Sequence, residues 1–152
     1  RDRSYIEQRY PTPPLLPADP QPRAKALWFQ EYGGSKLNDV TAGVFFERIV
    51  KPKVLNLDTD NKLVDRILEK ALPRALDYLT KCLGDNEYMV GGMFSLADIA
   101  LTTSFVNLNL AGINVDAERW PAYADYVERI LALPFYAPIV AQVPTWAKYQ
   151  QD

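Results

Sequence analysis

The amino-acid sequence predicts an all-α protein, a bundle of five or six helices. From Arg23 onward, apolar residues recur every three or four positions, and no alternating run is long enough to predict a strand. Helix-capping residues and prolines divide this part of the chain into separate periodic segments. The length of 152 residues suits a single hydrophobic core. These three observations together favour one helical domain.

Residues 1–20 are predicted to be the end of a preceding domain and a proline-rich linker. Residues 4–9 are compatible with the last turns of a helix, yet no start signal comes before them. Residues 10–22 hold six of the 12 prolines, and proline lacks the N–H donor that a helix or central strand needs. Because the chain also begins at Arg1 rather than at methionine, we expect a domain to precede it. The helical domain is then 21–152.

The first helix of this domain is predicted to start at about Pro22, since proline suits a first helical turn. Gly33 and Gly34 are expected to bend it. Ser35 is expected to cap a continuation, which should stop at Pro52 because the residue before a proline resists the α conformation. Together the two parts form one long, kinked helix.

The second helix shows the clearest amphipathic pattern in the chain. Asp58, Thr59 and Asp60 each offer a side chain that can cap its start. Its apolar stripe continues to about Leu83, and Pro73 is expected to kink it. At ~1.5 Å per residue, about two dozen residues span roughly 35 Å, the length of a small domain. We therefore expect this helix to be a scaffold element.

Residues 93–101 combine two devices that start a helix, and their spacings agree. With Ser95 as the N-cap, its hydroxyl can accept from the N–H of Asp98, while the Asp98 carboxylate accepts from the N–H of Ser95. Phe94 and Ile99 then occupy the two positions of a hydrophobic staple. The sequence therefore predicts a structural capping box and staple at these four residues.

The helix that follows is predicted to reach about Leu110, after a loop at 84–92. It is apolar over most of its circumference, which predicts a central and buried position. Asp98 is accordingly expected to be structural and not a catalytic acid. Two shorter helices are predicted to start near Pro121 and near Phe135.

Composition excludes several kinds of site. The net charge is -2, which gives no broad electrostatic footprint for nucleic acid or anionic membrane. Cys82 is the only cysteine and histidine is absent, which excludes an intramolecular disulfide, a Cys/His zinc site and histidine-based catalysis. Cys82 lies between two leucines of an amphipathic helix, which is typical of an inert small apolar residue. Since no apolar run reaches the ~20 residues of a membrane span, we expect a cytoplasmic protein.

A small basic cluster lies near the end of the first long helix. It consists of Arg48, Lys51 and Lys53, and cations at that end are favourable to the helix dipole. The cluster is either a solvated helix end or a contact for acidic groups of a partner. The sequence leaves both interpretations open.

Three blocks of the sequence resemble the glutathione transferase family, in the family's order. The first is Tyr-Pro-Thr-Pro-Pro-Leu-Leu-Pro-Ala-Asp-Pro at 10–20, which leads into a helix at Arg23. The second is Tyr-Met-Val-Gly-Gly-Met-Phe-Ser-Leu-Ala-Asp-Ile at 88–99, and the third runs from Trp120 to Pro134. In the family the middle block starts the central helix of the C-terminal domain. The resemblance implies a glutathione transferase C-terminal-domain-like helical bundle.

The resemblance also implies that the parent protein is an enzyme, in which the thiolate of glutathione attacks a hydrophobic electrophile. In the family, the activating Tyr, Ser or Cys and most glutathione contacts belong to a thioredoxin-like N-terminal domain. No catalytic residue is therefore assigned in this chain, and the fragment alone is expected to be inactive. Glutathione is the expected co-substrate, without a metal. The expected partners are the thioredoxin-like domain, a second copy in a homodimer and a small hydrophobic electrophile, with no nucleic acid and no membrane.

The family's helical domain contributes part of the second-substrate pocket, from its first helix and its C-terminal tail. Six residues are candidates: Trp28, Tyr32, Ser35, Asp39, Trp146 and Tyr149. The first four would share one face of an unbent helix. The alternative is core packing, which is the usual role of aromatic residues at helical spacing. The two tail residues either close the pocket or lie on the surface.

A second interpretation concerns the class of protein. Similar helical domains occur in stringent-starvation proteins and in translation factors, where they hold partners together without catalysis. Under this interpretation the chain is an interaction module. A thioredoxin-like sequence upstream, with an early Tyr, Ser or Cys, would favour the enzyme.

Overall fold

The structure, a computed structural model, describes residues 3–142, with side chains described from Tyr5 onward. The helices are α1 (Arg3–Arg9), α2 (Pro20–Tyr32), α3 (Asn38–Phe45), α4 (Lys51–Lys53), α5 (Asn61–Arg66), α6 (Leu72–Leu83), α7 (Leu96–Leu110), α8 (Pro121–Leu131) and α9 (Ala137–Gln142). π-Helical turns join α2 to α3 (Gly33–Leu37), α3 to α4 (Phe46–Val50) and α5 to α6 (Ile67–Ala71). The described chain therefore contains six continuous helices.

The predicted all-α class is confirmed. Within residues 3–142, the β structure is limited to one isolated bridge between Tyr88 and Gly91. None of the helices in this range is long and apolar enough to cross a membrane.

The long first helix of the domain starts at Pro20, so the predicted start at Pro22 is wrong by two residues. Asp19 precedes it with extended backbone, φ -69° and ψ 136°. The first turn of a helix has N–H groups without an intrahelical partner, so it accepts prolines at both positions 20 and 22.

The predicted cap at Ser35 is also wrong, because the helix does not stop there. Gly33 keeps right-handed helical geometry, φ -65° and ψ -43°, and the expected bend takes the form of a π-helical turn. The Ser35 hydroxyl instead donates to the carbonyl oxygen of Glu31 at 2.7 Å, within the same helix. The backbone donors that a cap would satisfy are already paired in the continuous helix.

The same helix passes Pro52 and ends at Lys53, which corrects the predicted stop at Pro52. The π-helical turn Phe46–Val50 comes immediately before this segment. A π-helical turn widens the backbone, which relieves the clash between a proline ring and the preceding turn.

The second long helix has the start that the sequence predicts. The Asp60 side chain accepts from the N–H of Leu63 at 3.0 Å, so Asp60 is the N-cap among the three candidates. The expected disturbance around Pro73 takes the form of the π-helical turn Ile67–Ala71 directly ahead of it. Gly84 ends the helix with φ +55°, a conformation that favours glycine.

Helix α7 lies at the centre of the domain, as predicted, and packs against the first long helix and α8. Gly33 permits a close approach between the first long helix and α7. A Cβ added there would lie 2.7 Å from both the carbonyl carbon and the oxygen of Ala100 in α7. Seven residues of α7 are buried: Ala97, Asp98, Leu101, Thr102, Ser104, Phe105 and Leu108. The core therefore forms around this helix.

The segment before α2 is attached to the helical domain. The Glu7 carboxylate accepts from the N–H groups of Leu15 and Leu16, each at 3.0 Å to Oε1. The carbonyl oxygen of Leu15 in turn accepts from the N–H of Leu96 at 2.9 Å. Leu16 is buried. The proline-rich segment thus ends against the start of α7, and its assignment to a preceding domain stays a prediction.

Candidate functional site

The start of α7 is organised around the buried carboxylate of Asp98. Its Oδ1 accepts from the N–H of Met89 at 2.8 Å and from the Tyr126 hydroxyl at 2.7 Å. Its Oδ2 accepts from the N–H of Ser95 at 2.8 Å and from the Ser95 hydroxyl at 3.2 Å. A reciprocal capping box is present. Because four donors occupy the carboxylate and Asp98 is fully buried, it is a structural group.

Tyr126 and Tyr123 remain protonated beside this carboxylate. Burial is the main cause that raises the pKa of Tyr126, and the negative charge of Asp98 adds to it. Burial likewise raises the pKa of Tyr123 well above its ordinary value. The Tyr126 hydroxyl uses its proton to bind Asp98, whereas the buried Tyr123 hydroxyl has no hydrogen-bond partner among the described residues. These tyrosines stabilise the fold and cannot serve as bases near neutral pH.

An open cleft lies between the first long helix and α7. We call it the α7 cleft, and its volume is about 430 Å³. Nine residues line it: Gly33, Gly34, Asn38, Leu96, Ile99, Ala100, Thr103, Ser104 and Asn107. Its walls combine apolar side chains with hydroxyl and amide groups, and no lining residue is ionisable. A site of this kind can bind and orient a largely apolar molecule, but it holds no ionisable acid or base, and none of its lining residues is a base that could activate the Thr103 and Ser104 hydroxyls.

Hydrogen bonds fix the polar part of the α7 cleft. The Thr103 hydroxyl contacts the carbonyl oxygen of Ile99 at 2.6 Å and also the Tyr136 hydroxyl. The hydroxyl of Ser104 donates to the carbonyl oxygen of Gly33 at 3.4 Å, across the contact between the two helices. Tyr136, which precedes α9, thereby reaches the helix that lines the cleft. The site is positioned by elements far apart in the sequence.

The predicted pocket residues on the first helix do not line this cleft. Gly34 and Asn38 line the cleft, whereas Ser35 and Asp39, one residue later in each case, do not, although all four are exposed. A π-helical turn holds more residues per turn than an α-helix, so it rotates the positions that follow. The π-helical turn Gly33–Leu37 therefore changes which face meets α7.

Trp28 and Tyr32 meet a third aromatic residue, Tyr78 of α6. The indole nitrogen of Trp28 donates to the Tyr78 hydroxyl at 3.1 Å, and the Tyr32 and Tyr78 ring centroids are 5.2 Å apart. Trp28 is 59% exposed and Tyr32 half-buried. Burial, followed by the nearby Tyr78 and Cys82, raises the pKa of Tyr32. The two predicted aromatic residues thus belong to a partly exposed cluster between α2 and α6.

The remaining predicted positions are placed as follows. Trp146 and Tyr149 lie outside the described residues. Phe94 is half-buried and packs edge-on against Tyr88 and Phe135, with ring centroids 6.1 and 5.1 Å apart. The staple contact between Phe94 and Ile99 stays a prediction. Within residues 3–142, no group of three or more histidine, cysteine or acidic side chains could hold a metal ion.

Sequence reasoning missed Asn38, Thr103 and Asn107 in the α7 cleft. A signal for the latter two is present, because they are polar residues four positions apart and so share one face of α7. Such a pair marks a face that meets something other than the core. For Asn38 the sequence offers no comparable signal, since its orientation depends on the π-helical turn before it.

Residues 37–134 match the family model of the glutathione S-transferase C-terminal domain. The chain is 24% identical over 137 residues to FtsZ-localized protein A of Caulobacter vibrioides, and this match covers 90% of the chain and 60% of that protein. It is 34% identical over 85 residues to a glutathione S-transferase of Hyoscyamus muticus, covering 56% of the chain and 39% of that protein. Human glutathione S-transferase T1-1 has a similar structure, with a TM-score of 0.80 and 22% identity, covering 92% of the chain and 59% of that protein. The chain thus spans less than two thirds of each of these proteins.

Proposed function

The chain belongs to the glutathione S-transferase C-terminal domain family, and from this premise we propose that it is the helical domain of a glutathione transferase. In the parent protein, a thioredoxin-like domain holds glutathione, and the α7 cleft receives part of a hydrophobic electrophile. We propose that the parent is a cytoplasmic homodimer. The observation that carries this proposal is the uncharged α7 cleft of about 430 Å³.

The reaction divides naturally between the two domains. The thiol of glutathione gives its proton to water and becomes the thiolate, the thiolate sulfur forms a bond to an electrophilic carbon, and the leaving group departs with its electron pair. The helical domain contributes apolar contacts and orientation. Ile99 and Leu96 supply apolar surface in the α7 cleft, and Asn38 and Asn107 supply amide groups that can orient a polar substituent.

The candidates from the sequence extend this proposal beyond the α7 cleft. Ser35 and Asp39 lie on the next positions of the same helix, and Trp28 and Tyr32 lie nearer its start. Trp146 and Tyr149 follow α9 in the chain. We propose that these side chains contact only electrophiles larger than the α7 cleft, so that a small aromatic electrophile does not reach them.

Steady-state kinetics of the full-length parent test this assignment. Asn107→Leu places an apolar side chain in the α7 cleft. Asp39→Leu changes an exposed residue of the first long helix, and this residue does not line the cleft. With 1-chloro-2,4-dinitrobenzene as the second substrate, we expect Asn107→Leu to change the KM for this electrophile about fivefold or more. One changed apolar or polar contact in a pocket corresponds to about 1–3 kcal/mol. The KM for glutathione should stay constant.

The matched variant makes the outcome decisive. Asp39→Leu should leave both KM values unchanged. If Asp39→Leu alters the KM for the electrophile while Asn107→Leu does not, the pocket lies on the other helix face and the α7 cleft is not the site. A change in the KM for glutathione with Asn107→Leu would mean that the α7 cleft contacts glutathione and not the electrophile, which contradicts the proposal.

A second candidate function is a non-catalytic interaction module of the stringent-starvation-protein or translation-factor type. The similarity to FtsZ-localized protein A favours it, since that name describes a localisation and the match covers 90% of the chain. The partly exposed aromatic cluster of Trp28, Tyr32 and Tyr78 is also suited to a protein contact. Failure of the full-length parent to bind a glutathione resin, together with no conjugating activity, would favour the module over the enzyme.

A further inference from the structure

A second cleft lies at the far end of the first long helix, between α4, the start of α5 and the end of α7. We call it the basic cleft, and its volume is about 500 Å³. The side chains that matter in it are Arg48, Lys53, Thr59 and Asn61. None of its lining residues is acidic. The basic cluster seen in the sequence therefore contributes two of its three cations to one concave surface.

Neither of these two cations has an acidic partner among the described residues. Arg48 donates one guanidinium N–H to the carbonyl oxygen of Ala111 at 3.4 Å, which leaves most of its donors unused. Lys53 is exposed, and neither residue takes part in the ion pairs of residues 3–142. The long contact of Arg48 fixes the side chain in the cleft without neutralising its charge.

Two of the nearby carboxylates are held by other groups, and a third does not line the cleft. The Glu47 carboxylate is 2.8 Å from the Lys51 ammonium and accepts from the N–H of Asp60 at 2.8 Å. The Asp60 carboxylate accepts from the N–H of Leu63 at 3.0 Å. Asp58 is exposed and does not line the cleft. Lys51 is thus already paired, while Arg48 and Lys53 keep their charge available for an anion.

A short apolar loop joins two residues that line the basic cleft, and we call this loop the apolar rim. It connects Lys53 to Thr59, and its Val54, Leu55 and Leu57 side chains are 63%, 47% and 53% exposed. Backbone hydrogen bonds of 2.9 to 3.1 Å tie all three N–H groups to carbonyl oxygens of Val50 and Lys51, near the end of the preceding helix. Thr59 adds a bond from its hydroxyl to the carbonyl oxygen of Glu47 at 2.8 Å. Three large apolar side chains are therefore presented to solvent by a fixed backbone.

We propose that the basic cleft and its apolar rim bind an acidic and apolar peptide segment of a protein partner. Carboxylates of the segment contact Arg48 and Lys53, and its apolar side chains cover Val54, Leu55 and Leu57. Charge complementarity selects the acidic component, and the fixed exposed rim selects the apolar one. Two free cations on a chain of net charge -2 do not suit the repeated phosphates of a nucleic acid. This binding is separate from the α7 cleft and does not depend on the proposed transferase activity.

The test uses the full-length protein and a fluorescein-labelled peptide, Glu-Asp-Leu-Leu-Glu-Asp-Leu, in a fluorescence-anisotropy titration. The neutral counterpart Gln-Asn-Leu-Leu-Gln-Asn-Leu is measured in parallel. We expect the acidic peptide to bind and the neutral one to bind at least about tenfold more weakly. The double variant Arg48→Gln/Lys53→Gln should weaken the acidic peptide by about tenfold, which corresponds to ~1.4 kcal/mol for two charged contacts.

The charge-matched control is Arg74→Gln/Lys81→Gln, which removes two exposed cations of α6 and gives the same net charge. It should leave the affinity unchanged. Leu55→Ser/Leu57→Ser should weaken the peptide several-fold, while circular dichroism shows that each variant keeps its helix content. No binding of the acidic peptide, equal losses in the two charge variants, or tighter binding of a labelled single-stranded DNA of the same charge would each overturn the proposal.

Discussion

The substitution Asp98→Asn tests whether the start of α7 depends on a buried, negatively charged acceptor. Each carboxylate oxygen of Asp98 accepts one backbone N–H and one hydroxyl, from Met89 and Tyr126 at Oδ1 and from Ser95 at Oδ2. An asparagine replaces one oxygen by an NH2 group. A hydroxyl can rotate and accept from that group, but a backbone N–H cannot.

The magnitude follows from this geometry. Whichever way the amide is turned, one backbone N–H, of Met89 or of Ser95, faces another donor in a buried site. A hydrogen bond to a charged group contributes about 1.5–3 kcal/mol, and an orphaned buried donor has a similar cost. The remaining bonds to Asp98 also weaken, because their acceptor becomes neutral. We therefore expect Asp98→Asn to lower the free energy of unfolding by about 3 kcal/mol.

Equilibrium unfolding in urea, followed by far-ultraviolet circular dichroism, measures this loss. The control is Asp125→Asn on α8, where the carboxylate is exposed and 3.6 Å from the guanidinium of Arg129. An exposed ion pair of this kind contributes less than about 1 kcal/mol. The reasoning is refuted if Asp98→Asn costs no more than Asp125→Asn.

Three further predictions concern other buried positions. Gly33→Ala should lower the free energy of unfolding by about 1–3 kcal/mol, because the new Cβ would meet backbone atoms of Ala100 at 2.7 Å. Gly34→Ala should raise the free energy of unfolding by about 0.5 kcal/mol, because a Cβ there meets nothing within 4 Å and alanine favours a helix over glycine. Thermal unfolding of both variants measures the difference. Burial raises the pKa of Tyr123 and Tyr126, so the folded protein retains protons that the unfolded chain loses above about pH 10. Stability should therefore fall by about 1.4 kcal/mol per pH unit for each of these tyrosines, and Tyr123→Phe should remove one share of that slope in urea titrations between pH 9 and 11. The contact with Lys51, followed by the N–H of Asp60, lowers the pKa of Glu47. The ionised carboxylate should therefore stabilise the fold at neutral pH, and this stabilisation should be lost as the pH falls below the range of an ordinary glutamate. Glu47→Gln should lower the melting temperature at pH 7 and flatten the dependence of the melting temperature on pH between 5 and 3.

Much of the architecture could be predicted from local patterns in the sequence. The spacing of apolar residues gave the number of helices, and Asp60 and Ser95 mark two of their starts because capping depends on residues only a few positions away. The central position of α7 follows from apolar residues around most of its circumference. Local chemistry is sufficient wherever the deciding contact lies within one helical turn.

The errors occur where a distant contact decides the local structure. Gly33 and Gly34 predict a bend followed by a new cap at Ser35, yet the helix continues through a π-helical turn without a cap, with Gly33 packed against the backbone of Ala100. The π-helical turn then rotates the following residues. The regular spacing of an α-helix therefore could not identify Asn38 as a residue of the α7 cleft.

The attachments that complete the fold also depend on distant residues. Tyr126 is 28 positions from Asp98, and Leu96, whose N–H donates to the carbonyl oxygen of Leu15, is even farther from Leu15 in the sequence. No spacing within a single helix encodes such pairs, because they form only when separate helices pack together.

The central claim is that the thioredoxin-like domain of the parent activates glutathione, while the helical domain binds only the electrophile. Conjugation kinetics test this claim most directly. Glutathione and 1-chloro-2,4-dinitrobenzene are supplied at equal concentrations to the full-length parent and to the 152-residue chain alone. The product is followed by its absorbance. The proposal predicts conjugation by the parent and only the uncatalysed rate with the chain. Conjugation by the chain alone above the uncatalysed rate would contradict it, because the described helices contribute a binding cleft without an ionisable group.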